Sequence, residues 1–483
     1  MNHRTYSEHQ AWAAEGESSA VVIGGSLAGL LSARVLSDYF SRVTIVERDV
    51  YPEAIEARRG VPQAHHLHAL LQRGKQILEQ FFPGLSEELV ADGAPVVDVA
   101  NDVAWLTPAG WGVRFPSNMA AISFSRSLLD WHVRRRVRQI PNVAFIEGCD
   151  VEGLVAEAGT VTGVALRSDE DGGHILPADF VVDASGRRSR APKWLESLGY
   201  DAPPETVINA RLGYASRLFR GVGGFKSGAL DTTAACTFIQ AAPPHHKRGG
   251  IIFPIENGLW ILTVVGGDAD YPPSDEAGFL EFVRSLRSPI IYDAVKNAEP
   301  VTPVHTYRAT ENRRRHYEQL KRQPERFVVI GDAACAFNPV YGQGMSTAAI
   351  GAEALASLLA VRRGDLKGFA SRFQRELARR NSAPWTMATG EDCRYEGTEG
   401  GRVDRMTRFM HGYMNCVMQL ATKDVQVRRV LLEAFNLLIA PTALFRPSIL
   451  VKVAAQALKS EKAPAASAQV PLEQRRQKAA GGI

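Results

Sequence analysis

The stretch AVVIGGSLAGL, residues 20–30, constrains this chain more than any other. Four apolar residues read as a short buried strand, the paired glycines as a turn too tight for side chains, and the rest as an apolar helix expected over about 27–40. RVTIVER, 42–48, follows as a second strand. A strand, a helix and a strand in so short a span form a β-α-β unit, with the two strands parallel. Gly24 and Gly29 take the first and last positions of a G-x-G-x-x-G turn, Ser26 replaces the middle glycine, and Gly25 is expected to give the close backbone approach. The helix start then offers N–H groups and a positive dipole end to a pyrophosphate. Glu47 closes the second strand at about the spacing where an acid accepts ribose hydroxyls, with Arg48 beside it. An acid there favours FAD or NAD over NADP.

A second stretch separates those two. In GDAACAFNPVYGQGM, 331–345, Asp332 ends a buried strand, Pro339 breaks the chain, and Gly342, Gly344 and Met345 open a helix. An acid at a strand end can hold a polyol hydroxyl, and a helix N-terminus can stabilise charge on a ring carbonyl. FAD has both a ribityl chain and such a ring; NAD has neither. Arg126, at the head of the helix expected in SFSRSLLDWHV, is placed to reach a cofactor phosphate. Asp183 and Gly186, in VVDASGRRSR, end another strand beside the expected cofactor channel.

GVPQAHHLHALL, 60–71, sets His65, His66 and His68 close together. The spacing is poor for a metal, because a histidine pair on one helix face wants i and i+4 with carboxylates nearby. No metal is expected. Pro62 suits a helix's first turn, from which the three rings would fan out. They are expected to pack against flavin and neighbouring loops, with His65 or His66 as modulators of substrate position or flavin reactivity.

Further along, 150–168 reads as a hairpin turning at Gly159, and GGIIFPIENGLWILTVVGG, 249–267, as one turning at Asn257-Gly258. Runs around 205–305 suggest a separate sheet with a face free to line an apolar pocket, carrying Phe219, Phe238, Phe253 and Trp260. The chain is helical after 351. The 483 residues carry 45% hydrophobic residues and a net charge of +4 without a basic block, so no nucleic-acid partner is expected. Five widely spaced cysteines fit a reducing cytoplasm. The polar start lacks a signal peptide's apolar core, and no run is expected to span a membrane. VLLEAFNLLIAPTALF, 430–445, reads as a buried amphipathic helix broken by Glu433, Asn436 and Pro441, with peripheral membrane contact as its other use.

These motifs resemble the three fingerprints, in order, of the FAD-dependent monooxygenase superfamily of aromatic hydroxylases and squalene epoxidase-like enzymes. GVPQAHHLHALL, SRSLLDW, YASRLFR, FPIENGLWILTV, ENRRRHY and FNPVYGQGMS are similar, within it, to bacterial polyether epoxidases of the monensin and lasalocid type. The resemblance implies an α/β fold: a Rossmann-like, glutathione-reductase-type FAD domain in two parts (19–200 and 311–365), an inserted antiparallel-sheet substrate domain (201–310, with pieces of 90–125), C-terminal helices (366–458) and a flexible tail (459–483). It carries Gly24, Gly29, Glu47 and Arg126 onto the adenosine and pyrophosphate positions, Asp332 onto the ribityl position, and Pro339, Gly342, Gly344 and Met345 onto the isoalloxazine loop. Asp183-Ala-Ser-Gly186 departs from the usual Asp-Gly, so no role in NAD(P)H handling follows. The implied reaction is transfer of one oxygen atom from O2, through a C4a-hydroperoxyflavin, to a large apolar substrate. Alkene epoxidation of a polyene or polyketide-like molecule leads, over phenol hydroxylation, reduction of isoprenoid double bonds, and non-catalytic prenyl binding. NADH or NADPH is the expected reductant, directly or through a separate flavin reductase. The W-x-W-x-I-P run of flavin halogenases is absent, with GLWILTVV at the corresponding place.

Overall fold

The computed structural model describes residues 18–58, 60–167, 174–223, 226–227, 230–231, 234–362 and 365–462. The β-α-β unit forms as its pattern dictates. Strands Ser19–Ile23 and Arg42–Glu47 pair in parallel, joined by the helix Leu27–Leu36. They lie within a five-stranded parallel sheet ordered Phe327–Val329, Phe180–Asp183, Ser19–Ile23, Arg42–Glu47 and Val143–Glu147. Both faces are covered, which is why Ala20, Val21, Val22, Val181 and Val182 are all buried. The helix Gly344–Arg362 packs between this layer and the helix Phe369–Asp392.

Gly344–Val361 is long and apolar enough to cross a membrane by length and composition. Ala349, Ala352, Ala354 and Leu355 are buried in the same core as the parallel sheet, and that packing explains the composition.

The second layer is an eight-stranded sheet. Gly213–Arg220, Trp260–Gly266, Arg248–Pro254 and Cys236–Ile239 run antiparallel in that order. The expected all-antiparallel order fails at one edge, where Cys236–Ile239 runs parallel to Val103–Thr107. The two segments are far apart in sequence, so no hairpin ties their directions. Both foreseen hairpins form, with Ala158, Gly159, Asn257 and Gly258 all at positive φ, as tight hairpin turns require.

Strand alternation divides the aromatic residues of this sheet. Phe219 and Trp260 pack with Ile239, Leu262 and Phe279 under the helices Glu276–Arg284 and Ile290–Val295. Phe238 and Phe253 lie in other clusters, with Val97, Val103 and Trp105.

Three smaller departures have local causes. The helix expected at Pro62 is a single turn of 3-10 helix, Pro62–His65, and the α-helix starts only at Gln72. The helix Val425–Phe435 ends at Asn436, and Leu437 has φ of 58°, so 430–445 is not one helix. The final helix, Pro447–Lys462, continues past residue 458, where the tail was expected to start. The N-terminal arm and residues 463–483 lie outside the described residues.

Glycine positions make the fold testable. A Cβ at Gly29 would stand 1.8 Å from the carbonyl oxygen of Gly24, whereas one at Gly258 meets nothing within 4 Å and is penalised only by its φ of 66°. Gly29→Ala is expected to lower unfolding free energy by about 3 kcal/mol or more, and Gly258→Ala by about 1 kcal/mol, measured by urea unfolding. Equal costs would refute the close helix-to-strand contact.

Candidate functional site

The glycine turn is shaped by contacts that exclude a side chain. Gly24 has φ of 93°, and a Cβ there would come within 2.8 Å of the Ala184 oxygen. Ser26 caps the helix Leu27–Leu36 without a side-chain cap bond. Its Oγ instead accepts a hydrogen bond from Arg126 Nη2 at 3.0 Å. Arg126 opens the helix Arg126–Arg138, whose N-cap Ser125 accepts from the Leu128 N–H, and its Nε donates to Asp130 at 2.9 Å. A helix N-terminus and a guanidinium thus meet at one point, an arrangement suited to a pyrophosphate.

Glu47 has a different setting from the one expected. Its Oε2 accepts from the Gly25 N–H at 2.7 Å and pairs with Arg58 Nη1 at 2.9 Å, while Oε1 accepts from the Asp49 N–H at 3.1 Å. The carboxylate is already engaged in holding the glycine turn, and a ribose hydroxyl would have to share it. Arg48 is exposed at the strand end. Two residues that sequence reasoning missed complete this corner. The Arg58 side chain is buried between Glu47 and Asp49; burial lowers its pKa, and the Glu47, Tyr51 and Asp130 charges outweigh that and raise it. Tyr51 donates from its hydroxyl to the Gly25 oxygen at 2.7 Å, with the guanidiniums of Arg58 and Arg134 within 5.0 Å of its ring centre.

At the other end, Gly331 and Gly342 take φ of 63° and 64° and bend the segment between strand and helix. Asp332 turns toward Gly344, since a Cβ on that glycine would lie 4.0 Å from Asp332 Oδ1. Burial raises the Asp332 pKa, opposed by the Arg187 and Arg126 charges. Among the described residues no hydrogen bond reaches its carboxyl. Gln343 is 3% exposed and its Oε1 has no partner either. Two inward acceptors or donors without partners, beside a helix N-terminus, fit a hydroxyl-bearing chain and a polar ring edge. Pro339 starts the 3-10 turn Pro339–Tyr341, Met345 is buried, and the neighbouring Ser346 Oγ accepts from the Leu71 N–H at 3.0 Å.

This loop has an anchor that the sequence did not reveal. Asp392, at the end of the helix Phe369–Asp392, is fully buried. Its Oδ2 accepts from Asn312 Nδ2 at 2.6 Å, and its Oδ1 from Tyr341 Oη at 2.6 Å and Asn338 Nδ2 at 3.1 Å. Asn312 Oδ1 in turn accepts the Asn338 N–H at 2.7 Å. Burial outweighs these donors and pushes the Asp392 pKa up to about 7. No local pattern signals a contact between residues so far apart in the chain.

The three histidines go three ways. His65 is exposed and stacks on His305 with ring centres 4.1 Å apart. His66 is 3% exposed, its Nδ1 lies 2.8 Å from Ser216 Oγ, and that oxygen is 2.6 Å from Thr263 Oγ1, which accepts the Leu67 N–H. His68 donates from Nδ1 to the His66 carbonyl at 2.9 Å. Burial, helped by neighbouring histidines, lowers the His66 pKa to about 3; burial and Arg126 lower that of His68 to about 4. Among the described residues no group of three or more His, Cys, Asp or Glu side chains is placed to hold a metal ion. Asp183 is spent internally, accepting from the Ser185 N–H and the Ser189 hydroxyl.

Residues 17–372 match the family model described as an FAD binding domain. The chain is 33% identical over 436 residues to Protein Rv3254 of Mycobacterium tuberculosis, covering 87% of this chain and 89% of that one. It is 26% identical over 192 residues to squalene epoxidase 5 of Arabidopsis thaliana, covering 38% and 36%. In fold it is similar to the flavin-dependent brominase Bmp2 (TM-score 0.65, 16% identity, 92% of this chain and 99% of that one). It is also similar to p-nitrophenol 4-monooxygenase PnpA from Pseudomonas putida (TM-score 0.62, 18% identity, 88% and 99%).

The Asp392 anchor yields a pH-dependent expectation. Asn312, Asn338, Tyr341, Tyr395 and Glu391 are the polar and charged groups around it. Its folded-state pKa lies above the ordinary carboxylate value, so the folded protein holds this proton more tightly than the unfolded chain. Stability from this group is therefore present at low pH and lost as pH rises toward about 7, by roughly 1 kcal/mol per pH unit. Asp392→Asn is expected to remove that slope from urea midpoints and, by turning an acceptor into a donor, to weaken FAD binding about tenfold. Unchanged FAD affinity would remove Asp392 from the loop's support.

Proposed function

The chain belongs to the FAD-binding-domain family; from that premise we propose that it is an FAD-dependent monooxygenase that epoxidises an alkene in a large apolar substrate, a polyene or polyketide-like molecule. Bound FAD, reduced by NADH or NADPH directly or through a partner reductase, supplies the transfer of one atom of O2. The protein's own residues position and shield. Gly24, Gly25, Ser26 and Gly29 let the helix start approach the pyrophosphate, and Arg126 brings a positive charge to the same point. Asp332 is free to accept a ribityl hydroxyl, and Pro339, Gly342, Gly344 and Met345 shape the loop beside the ring. The N-terminus of the helix Gly344–Arg362 favours negative charge on the ring edge facing it.

An alkene is favoured over a phenol by the burial of the sheet-side groups. His66 and His68 are neutral bases far too weak to hold a proton near neutrality, and burial raises the pKa of Tyr214 and Tyr307. Phenol hydroxylation gains from a base poised near the working pH; oxygen transfer to an electron-rich alkene needs none. His66 instead orders its surroundings, tying residues 66–67 to strands Gly213–Arg220 and Trp260–Gly266 through Ser216 and Thr263.

Purified protein with FAD, NADPH, a flavin reductase and a polyene under labelled oxygen is expected to add one labelled atom to the substrate. At saturating FAD, the single-turnover rate of the Asp392→Asn variant, which lacks the carboxyl that titrates near 7 behind the loop, is expected to be flat between about pH 6 and pH 9. Gain of two hydrogens without oxygen, or a rate in that variant still governed by a base titrating near pH 7, would overturn the assignment.

A further inference from the structure

Among the described residues no acid pairs with Arg428. It lies in the helix Val425–Phe435, 1% exposed, and neither its Nε nor its Nη1 has a hydrogen-bond partner. Its guanidinium sits over the Trp105 ring, 4.6 Å from the ring centre. Gly112 abuts it so closely that a Cβ there would be 2.6 Å from Cζ. The walls nearby are apolar: Trp105, Phe115, Met119 and Leu432 form one buried cluster, with Phe238 and Phe435 against it. Asp424 is taken by Lys452 at 2.6 Å and by the N–H groups of Gln426 and Val427. Burial alone lowers the Arg428 pKa, to about 10, with no acid nearby to raise it. A guanidinium so enclosed stays charged at neutral pH, and an uncompensated buried charge is costly enough to call for a reason.

Its position suggests one. The same helix ends at Asn436, whose side-chain oxygen accepts the Gln72 N–H at 3.2 Å, while Leu71 next door binds Ser346 at the start of the helix Gly344–Arg362. Eight residues of helix rise separate Arg428 from Asn436, about 12 Å. Arg428 therefore lies on a helix whose far end is tied, through residues 71 and 72, to the start of the helix that follows the loop assigned to the flavin, and it packs with Phe238.

We propose that Arg428 binds the carboxylate of the substrate, so that the substrate is a long apolar acid held by its charged end with its alkene toward the flavin loop. A guanidinium whose face rests on an indole offers its edge N–H groups, and a planar carboxylate is the anion that matches an edge. The structure is closed over Arg428, so binding requires the Trp105, Phe115 and Phe435 side chains to part. The proposal deepens the reading of the chain as oxygenating a large apolar molecule and rests on it for the location of the ring.

The test uses FAD-loaded protein with octanoate, myristoleate and oleate, each against its methyl ester, below micelle-forming concentrations. Binding is read by calorimetry and by the shift of the flavin spectrum, neither of which needs turnover. At least one acid is expected to bind tenfold or more tightly than its ester. Arg428→Leu is expected to abolish that preference, leave ester binding unchanged, and melt higher than wild type without ligand. Arg428→Lys keeps the charge but not the planar edge, and is expected to lose most of the preference; it serves if the leucine variant fails to fold. Equal binding of every acid and ester to wild type, no binding of either, or an acid preference that survives both substitutions, would overturn the proposal. Acid preference without labelled oxygen in the product would sink the epoxidation reading and leave the anion site standing.

Discussion

The close approach of Gly29 to the carbonyl of Gly24 governs the rest of this molecule. It presses the helix Leu27–Leu36 onto the end of the first strand and aims its N-terminus out of the sheet. With the turn fixed, the Gly25 N–H meets Glu47, the Ser26 hydroxyl meets Arg126, and the Gly25 carbonyl meets Tyr51. Three elements distant in sequence converge on a few residues because that turn has no side chains in the way. A methyl group on Gly29 would move the helix, and the phosphate-binding point would move with it.

What could be read from the sequence, and what could not, follows from the range of the physics. Positive φ is a local demand, so Gly24, Gly159 and the Asn257-Gly258 pair declared themselves. The strands Ser19–Ile23 and Phe180–Asp183 declared themselves as apolar runs because both sheet faces are covered. Asp332 was visible as an acid at a strand end, but not that it lacks a partner. The Asp392–Asn338–Tyr341 cluster was invisible, since a buried carboxylate at a helix end looks like any exposed one until the fold is known. Pro62 promised a helix, yet the chain extends at His66 because Ser216 and Thr263 compete for the His66 ring and the Leu67 N–H. Three histidines adjacent in sequence consequently face three different environments. Glu47 carried the right chemistry for a ribose but had an internal partner, Arg58, that spacing alone could not supply.

Electrostatics varies along the cofactor channel so assigned. Around the glycine turn, charge is dense and paired: Glu47 with Arg58, Arg58 with Asp49, Arg126 with Asp130. Near the flavin loop burial disfavours charge: it lowers the pKa of His66 and His68 and raises those of Tyr214, Asp332 and Asp392. The difference is what the two ends of an FAD molecule require. A pyrophosphate brings permanent charge and rewards fixed countercharges. A ring that gains and loses electrons is better served by dipoles such as a helix N-terminus, which stabilise charge without themselves taking up protons. Phe238, Phe253 and Trp105 pack in apolar clusters of the second sheet, His66 is buried against Ser216 and Tyr214, and the ion pairs gather at the glycine turn, so permanent charge is confined to the end that a pyrophosphate would occupy.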